Sequence, residues 1–111
     1  MLDIQANGSG TVEVAVRGDL EMQHAPELRE SLLALLNRGD VTGVNLDLAA
    51  VTLLDATGAG AIIVTHRIAT HRRVALRITA VSLCVIQILT LVGAADLLPV
   101  GLADVPLSVV D

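Results

Sequence analysis

This chain predicts an α/β domain: one mixed, mostly parallel sheet, opened by an antiparallel hairpin, with about three helices packed on it. Three observations carry that prediction. Val12, Val14 and Val16 alternate with Thr11, Glu13, Ala15 and Arg17, the period-two pattern of a strand with one buried face. Leu28, Leu32, Leu35 and Leu36 recur at helical spacing. After the hairpin, strand and helix patterns take turns, and helical crossovers join strands that run parallel.

The elements read off in order. Leu2 to Ala6 is a short strand, and Asn7-Gly8 signals a tight type I′ hairpin, whose two central residues both need positive φ. Thr11 to Arg17 is the second strand, and Gly18-Asp19-Leu20-Glu21 leaves the sheet. Pro26 fits the first position of a helix with Glu27 in its first turn, and that helix ends near Gly39. Val44 to Leu48 is an interior strand, apolar on both sides of Asp47, as expected of one covered by helices on both faces. A second helix runs from about Gly58 to about His71. Ala61, Ile62, Thr65, Ile68 and Ala69 share its apolar face, and Ala59, Ile63, His66, Arg67 and Thr70 share the other. Val74 to Ala80 is a fourth strand. Ser82 caps a third helix ending at Gly93, with Val85, Ile88, Leu89 and Val92 buried. Its opposite face holds Gln87 and Thr90 with Leu83, flanked by Ile86 and Leu91, and is poorly polar for a surface. Leu97 to Val100 is a last short strand, and the tail with Pro106 adds an edge strand or stays mobile.

Composition narrows the function. The 111 residues make one domain, 1–111, large enough for an unstapled core. Hydrophobic residues make up 53%, which excludes disorder. The net charge of −5, with seven scattered Arg and no Lys, argues against nucleic acid. The absence of Phe, Tyr and Trp removes base-stacking platforms and aromatic cages. Cys84 stands alone, so no internal disulfide forms, and it reads as a small, partly buried apolar residue. No signal peptide is visible. The uncharged run from Ile78 to Ala95 is broken by Ser82, Gln87, Thr90 and Gly93, so it does not insert into a membrane. A cytoplasmic location is expected.

The chain is organised around Leu46 to Ala61, which reads as an apolar strand, a short loop and the glycine-rich start of a helix. Asp55 and Thr57 stand at the mouth of that helix. Its first N–H groups lack intrahelical partners and carry partial positive charge, so Asp-Ala-Thr-Gly suits capping and also suits an anionic modification.

Enzyme signatures are missing. Gly58-Ala59-Gly60 opens a helix, but Ile63 fills the third glycine position of a dinucleotide fingerprint, and the glycines lie well past the strand. A phosphate loop of the Walker type needs a Lys. His66 and His71 project about 140° apart on a helix, and with His24 they make no metal site. Ser9, Ser31, Ser82 and Ser108 are in no nucleophile elbow, and no carboxylate pair, Asp47 and Asp55 included, suggests acid–base work. Nucleotide hydrolysis at the Gly58 helix mouth lacks a Lys and a metal-binding carboxylate pair. An interaction domain, with neither metal nor cofactor, fits better than an enzyme.

Three segments resemble a known family. Val16-Arg17-Gly18-Asp19-Leu20 with Ala25-Pro26-Glu27-Leu28, Asn45 through Gly60, and Ile86 to Val100 with Leu91-Val92-Gly93 and Leu97-Leu98-Pro99-Val100 are similar to segments of the STAS domain, most closely in bacterial anti-sigma factor antagonists. The resemblance spans nearly the whole chain and implies the same element order. It also implies docking on an anti-sigma factor, commonly a serine kinase of the histidine-kinase ATPase fold, which releases a sigma factor and so regulates transcription. In the family, that kinase phosphorylates the serine after the central Asp, which breaks the complex, and a phosphatase restores it.

Here Ala56 follows Asp55, so the usual phosphoryl acceptor is missing. Switching is then lost, or moved to Thr57, which otherwise only caps the helix. Glu21 stands where the family often has Asp, and Leu53 and Leu98 stand where it has Phe. The expected partner surface is Asp19, Asp55, Ala56, Thr57, Gly58, Ala59, Gly60 and Ile63. The alternative is a STAS-type subunit of a lipid-transport ATPase or of a stress-signalling scaffold. The poorly polar face of the third helix motivates it, and that face also suits a homodimer.

Overall fold

The computed structural model describes residues 2–99. Within them lie β1 (Leu2–Ala6), β2 (Thr11–Leu20), α1 (Ala25–Leu36), β3 (Gly43–Leu54), α2 (Ala56–His71), β4 (Ala75–Val81) and α3 (Leu83–Leu91). The sheet order is β1-β2-β3-β4. β1 runs antiparallel to β2, and β2–β3 and β3–β4 are parallel, each joined through a helix. This is the mixed, mostly parallel architecture that the alternation of patterns predicts.

One face of the sheet builds the core. Val12, Val14 and Val16 of β2 stand beside Val44, Leu46 and Leu48 of β3 and Leu76 and Ile78 of β4, all buried. The helices press Leu28, Leu32, Ile62, Val85 and Leu89 onto them, and each of these is fully buried. The expected stripes of α1 and α2 therefore point inward as periodicity requires. In α3, Val85 and Leu89 follow the pattern, but Val92 is exposed because the helix ends at Leu91.

The other face of the sheet is uncovered. Asn45 and Asp47 of β3 are half-buried and Arg17, Arg77 and Thr79 are exposed, so β3 is not covered on both sides. A polar cluster replaces the expected second layer. The side-chain amides of Asn7 and Asn45 both donate to one carboxylate oxygen of Glu13, at 3.1 and 2.7 Å.

Several boundaries differ from the expected ones, each for a physical reason. The first hairpin is not a two-residue turn. The last ladder pair is Ala6 with Val12, and positive φ falls on Gly8 and Gly10 rather than on Asn7. β2 does not leave the sheet at Gly18, since Gly18, Asp19 and Leu20 still pair with Val51, Leu53 and Leu54. Burying Leu20 and Leu54 outweighs the poor strand preference of Gly and Asp.

β3 is also much longer than Val44 to Leu48. Two register shifts against β2 insert extra β3 residues, so its buried positions move from every second residue to Leu48, Val51 and Leu54. No loop separates β3 from α2: Asp55 alone stands between them, and Gly58 and Gly60 lie in the first turns of the helix. In place of the last strand, Ala95–Leu97 forms a 3-10 turn, with Leu98 buried behind it. Val100 and the tail with Pro106 lie outside the described residues.

Between α1 and β3, the Arg38 guanidinium donates two hydrogen bonds to Asp40, at 2.8 and 3.1 Å. That pairing lowers the Asp40 carboxyl below its ordinary value. A lowered carboxyl adds stability above the ordinary carboxylate range and loses it as pH falls through the lowered value. Both side chains are exposed, so the contribution is small.

Candidate interaction surface

The end of β3 and the start of α2 are held rigidly, and the holding is done by Asp55. It is the N-cap of α2, in extended conformation, and its Oδ1 accepts a hydrogen bond from the Gly58 N–H at 2.8 Å. Its Oδ2 accepts from the Met22 N–H at 3.1 Å. One carboxylate thus closes the helix mouth and ties it to the loop between β2 and α1. Replacing Asp55 by Ala removes the cap and the tie together. The expected cost is about 2 kcal/mol of unfolding free energy, read by urea denaturation. Asp55→Asn keeps an acceptor for Gly58 and is expected to lose about half as much.

Gly58 makes this geometry possible. A Cβ built there would lie 2.3 Å from the Leu20 carbonyl oxygen and 2.8 Å from a Leu54 methyl. The first turn of α2 rides directly on the end of β2, and only a residue without a side chain allows that approach. Asp19 is nearby on the same strand end, where its carboxylate accepts from the Thr52 hydroxyl at 3.0 Å.

The predicted surface residues divide into two groups. Asp19, Ala56 and Thr57 are exposed, and Asp55 is half-buried between them as the clamp. Gly58 and Ala59 are buried, the latter completely, so no side chain of theirs reaches a partner. Placing Ala59 on the polar face of α2 is therefore corrected. The helix lies so close to the strands that this position also faces the core. Gly60 is half-buried beside a cleft against α1. Ile63 is half-buried too, packed on the core, and lines a separate hollow with Val92 and Leu97. Of the expected partner residues, Ile63 is thus the one set apart from the helix mouth.

Sequence reasoning missed Met22, Leu53 and Arg29. Met22 is 68% exposed and Leu53 46%, an apolar margin to the polar mouth. Leu53 is the ladder partner of Asp19, which the chain position of neither reveals. Among the described residues, no group of three or more His, Cys, Asp and Glu is placed to hold a metal ion. No described helix is long and apolar enough to cross a membrane. Cys84 is half-buried, with its sulfur 3.4 Å from the Val51 carbonyl.

These features define a class: a small α/β domain whose exposed polar and apolar groups gather around one capped helix mouth at the end of the sheet. The chain belongs to the STAS domain family, since the family model described as "Mlab, STAS domain" matches residues 4–99. It is 24% identical over 100 residues to the anti-sigma-B factor antagonist of Bacillus subtilis (strain 168), covering 90% of this chain and 89% of that one. Its fold is similar to that of the anti-sigma factor antagonist SpoIIAA in its unphosphorylated form, with a TM-score of 0.76 at 15% identity over 87% of this chain and 84% of that one. An anti-sigma factor antagonist from Mycobacterium paratuberculosis is similar as well, with a TM-score of 0.76 at 20% identity over 89% of this chain and 82% of that one.

Proposed function

We infer that this chain is a regulatory binding protein, not an enzyme: an anti-sigma factor antagonist that captures an anti-sigma factor and so frees a sigma factor. The observation that carries this reading is the exposed Ala56-Thr57 pair on a helix mouth fixed by Asp55, beside the exposed carboxylate of Asp19. A docking surface needs groups held in place before the partner arrives, because ordering them on binding costs affinity. The relative from Bacillus subtilis and the two structural neighbours, all named as antagonists of this kind, support the reading.

The partner on this reading is a kinase-fold anti-sigma factor, and the surface comprises Asp19, Asp55, Ala56, Thr57 and Gly60. With Ala at position 56, the partner's kinase activity finds no hydroxyl at the usual place. Binding is then constitutive, or Thr57 takes the phosphate.

A second reading, a subunit of a transport ATPase or a scaffold, is favoured by one observation. Leu83 (40% exposed) and Leu91 (80%) leave apolar side chains of α3 open to solvent. Affinity capture from lysate of the source organism separates the two. The tagged wild type, Thr57→Arg and Leu91→Glu are compared by mass spectrometry. Recovery of a kinase-fold anti-sigma factor that Thr57→Arg loses and Leu91→Glu keeps is the expected result. Recovery of an ATPase or scaffold instead, lost only with Leu91→Glu, moves the assignment to the second reading.

A further inference from the structure

α1 and α2 pack against each other, and where their first turns meet they leave a cleft of about 360 Å³. Pro26 and Arg29 stand on the α1 wall, and Thr57, Gly60 and Val64 on the α2 wall. The α2 residues recur at steps of three and four, so they form one helix face. A Cβ at Gly60 would meet nothing within 4 Å, so this glycine answers no close approach within the fold. Its missing side chain widens the cleft. Val64 is 42% exposed at the cleft. One turn further along the same faces stand Leu33 and Ile68, which are already packed against the core.

Charge selects the occupant. The chain has a net charge of −5, yet the only ionisable side chain lining this cleft is that of Arg29. Arg29 is exposed, and its guanidinium has no ion pair among the described residues. The carboxylate of Asp55, just before Thr57, is already engaged by the Gly58 and Met22 N–H groups. A cation over an apolar floor fits an apolar group that ends in an anion.

We propose that this cleft docks an apolar segment of the partner protein that brings a carboxylate to Arg29. The planar guanidinium pairs with a carboxylate through two parallel hydrogen bonds, while Pro26, Gly60 and Val64 receive aliphatic side chains. The identity of the partner rests on the regulatory reading above, whereas the chemistry of the cleft does not.

The test has two arms. In the first, the amide resonances of the ¹⁵N-labelled chain are followed while acetyl-Leu-Leu-Glu-Leu-amide or its Gln counterpart is added. The Glu peptide is expected to give saturable shifts at Arg29, Gly60 and Val64, and to bind about fivefold more tightly than the Gln peptide. Arg29→Glu removes that preference. Gly60→Leu fills the cleft and removes the shifts while unfolding stays cooperative. Shifts that are absent, scattered or indifferent to the Glu–Gln exchange overturn the proposal.

In the second arm, the affinity of the captured anti-sigma factor is measured. Arg29→Glu is expected to lower it about tenfold, and Arg67→Glu, outside the cleft, to leave it unchanged. Full affinity in Arg29→Glu overturns the cleft and leaves the regulatory reading standing. Success with the peptides and no anti-sigma factor on capture keeps the cleft and overturns the regulatory reading.

Discussion

Gly58→Ala is expected to destabilise the domain by about 3 kcal/mol, the upper end of what overpacking a well-packed site costs. The new methyl would stand 2.3 Å from the Leu20 carbonyl oxygen. That oxygen belongs to a strand still paired with β3, through Leu20 and Leu54, so it cannot swing aside as a side-chain tip could. Leu54 closes the other side, its methyl 2.8 Å away. Relief requires the first turn of α2 to lift off the sheet, which strains the Asp55 cap and its tie to Met22. Gly60→Ala is the control. It lies in the same helix with open space around it, and replacing a helix-interior glycine there stabilises by about 0.5–1 kcal/mol. Urea denaturation of both variants checks the pair. Equal effects of the two would mean that the close approach at Gly58 is not what holds α2 in place.

This contrast between two glycines two residues apart shows where sequence reading stops. Both open a helix, and nothing local says that one sits on a strand and the other beside a cleft. What was legible depended on local pattern. The stripes of α1 and α2 and the alternation in β2 follow from periodicity. Asp55 as a cap follows from the unpaired N–H groups at any helix start. What was not legible depended on pairing between distant residues. The buried positions of β3 change from a spacing of two to a spacing of three after Leu48, because its register against β2 shifts twice. A spacing of three reads as a loop or a helix, so Val51 to Leu54 lost its place in the sheet. The contacts that shape the site, Met22 to Asp55 and Thr52 to Asp19, each join residues 33 apart. They become visible only when the ends of β2 and β3 are laid side by side. Ala59 was misplaced for the same reason, since its second buried side comes from strands and not from its own helix.

Ala56→Ser is expected to restore a phosphorylation switch, and it has the largest expected effect on binding. Ala56 is the first residue of α2, exposed, and directly follows the capping carboxylate. A phosphate there faces the positive end of the helix, which stabilises it by about 0.3–1 kcal/mol, so the fold tolerates it. It also places nearly two negative charges directly after Asp55, on the surface proposed to dock. Desolvating that charge and bringing it against the carboxylate proposed for the partner costs several kcal/mol, so partner affinity is expected to fall about a hundredfold or more. The measurement is intact mass and affinity after incubation with the kinase-fold partner and Mg-ATP, for the wild type, Ala56→Ser and Thr57→Ala. One phosphate on Ala56→Ser with loss of binding, and none on the wild type, identifies an antagonist whose switch was removed by a single side chain. One phosphate on the wild type that Thr57→Ala abolishes shows that the switch has moved one residue along. The moved phosphate would stand at the cleft beside Arg29, where it would compete for the same guanidinium as the partner's carboxylate. An Ala56→Ser chain that binds the kinase-fold partner and stays unmodified would show that this surface is not presented to the kinase active site, and the proposed switch would fall while capture of the partner stood.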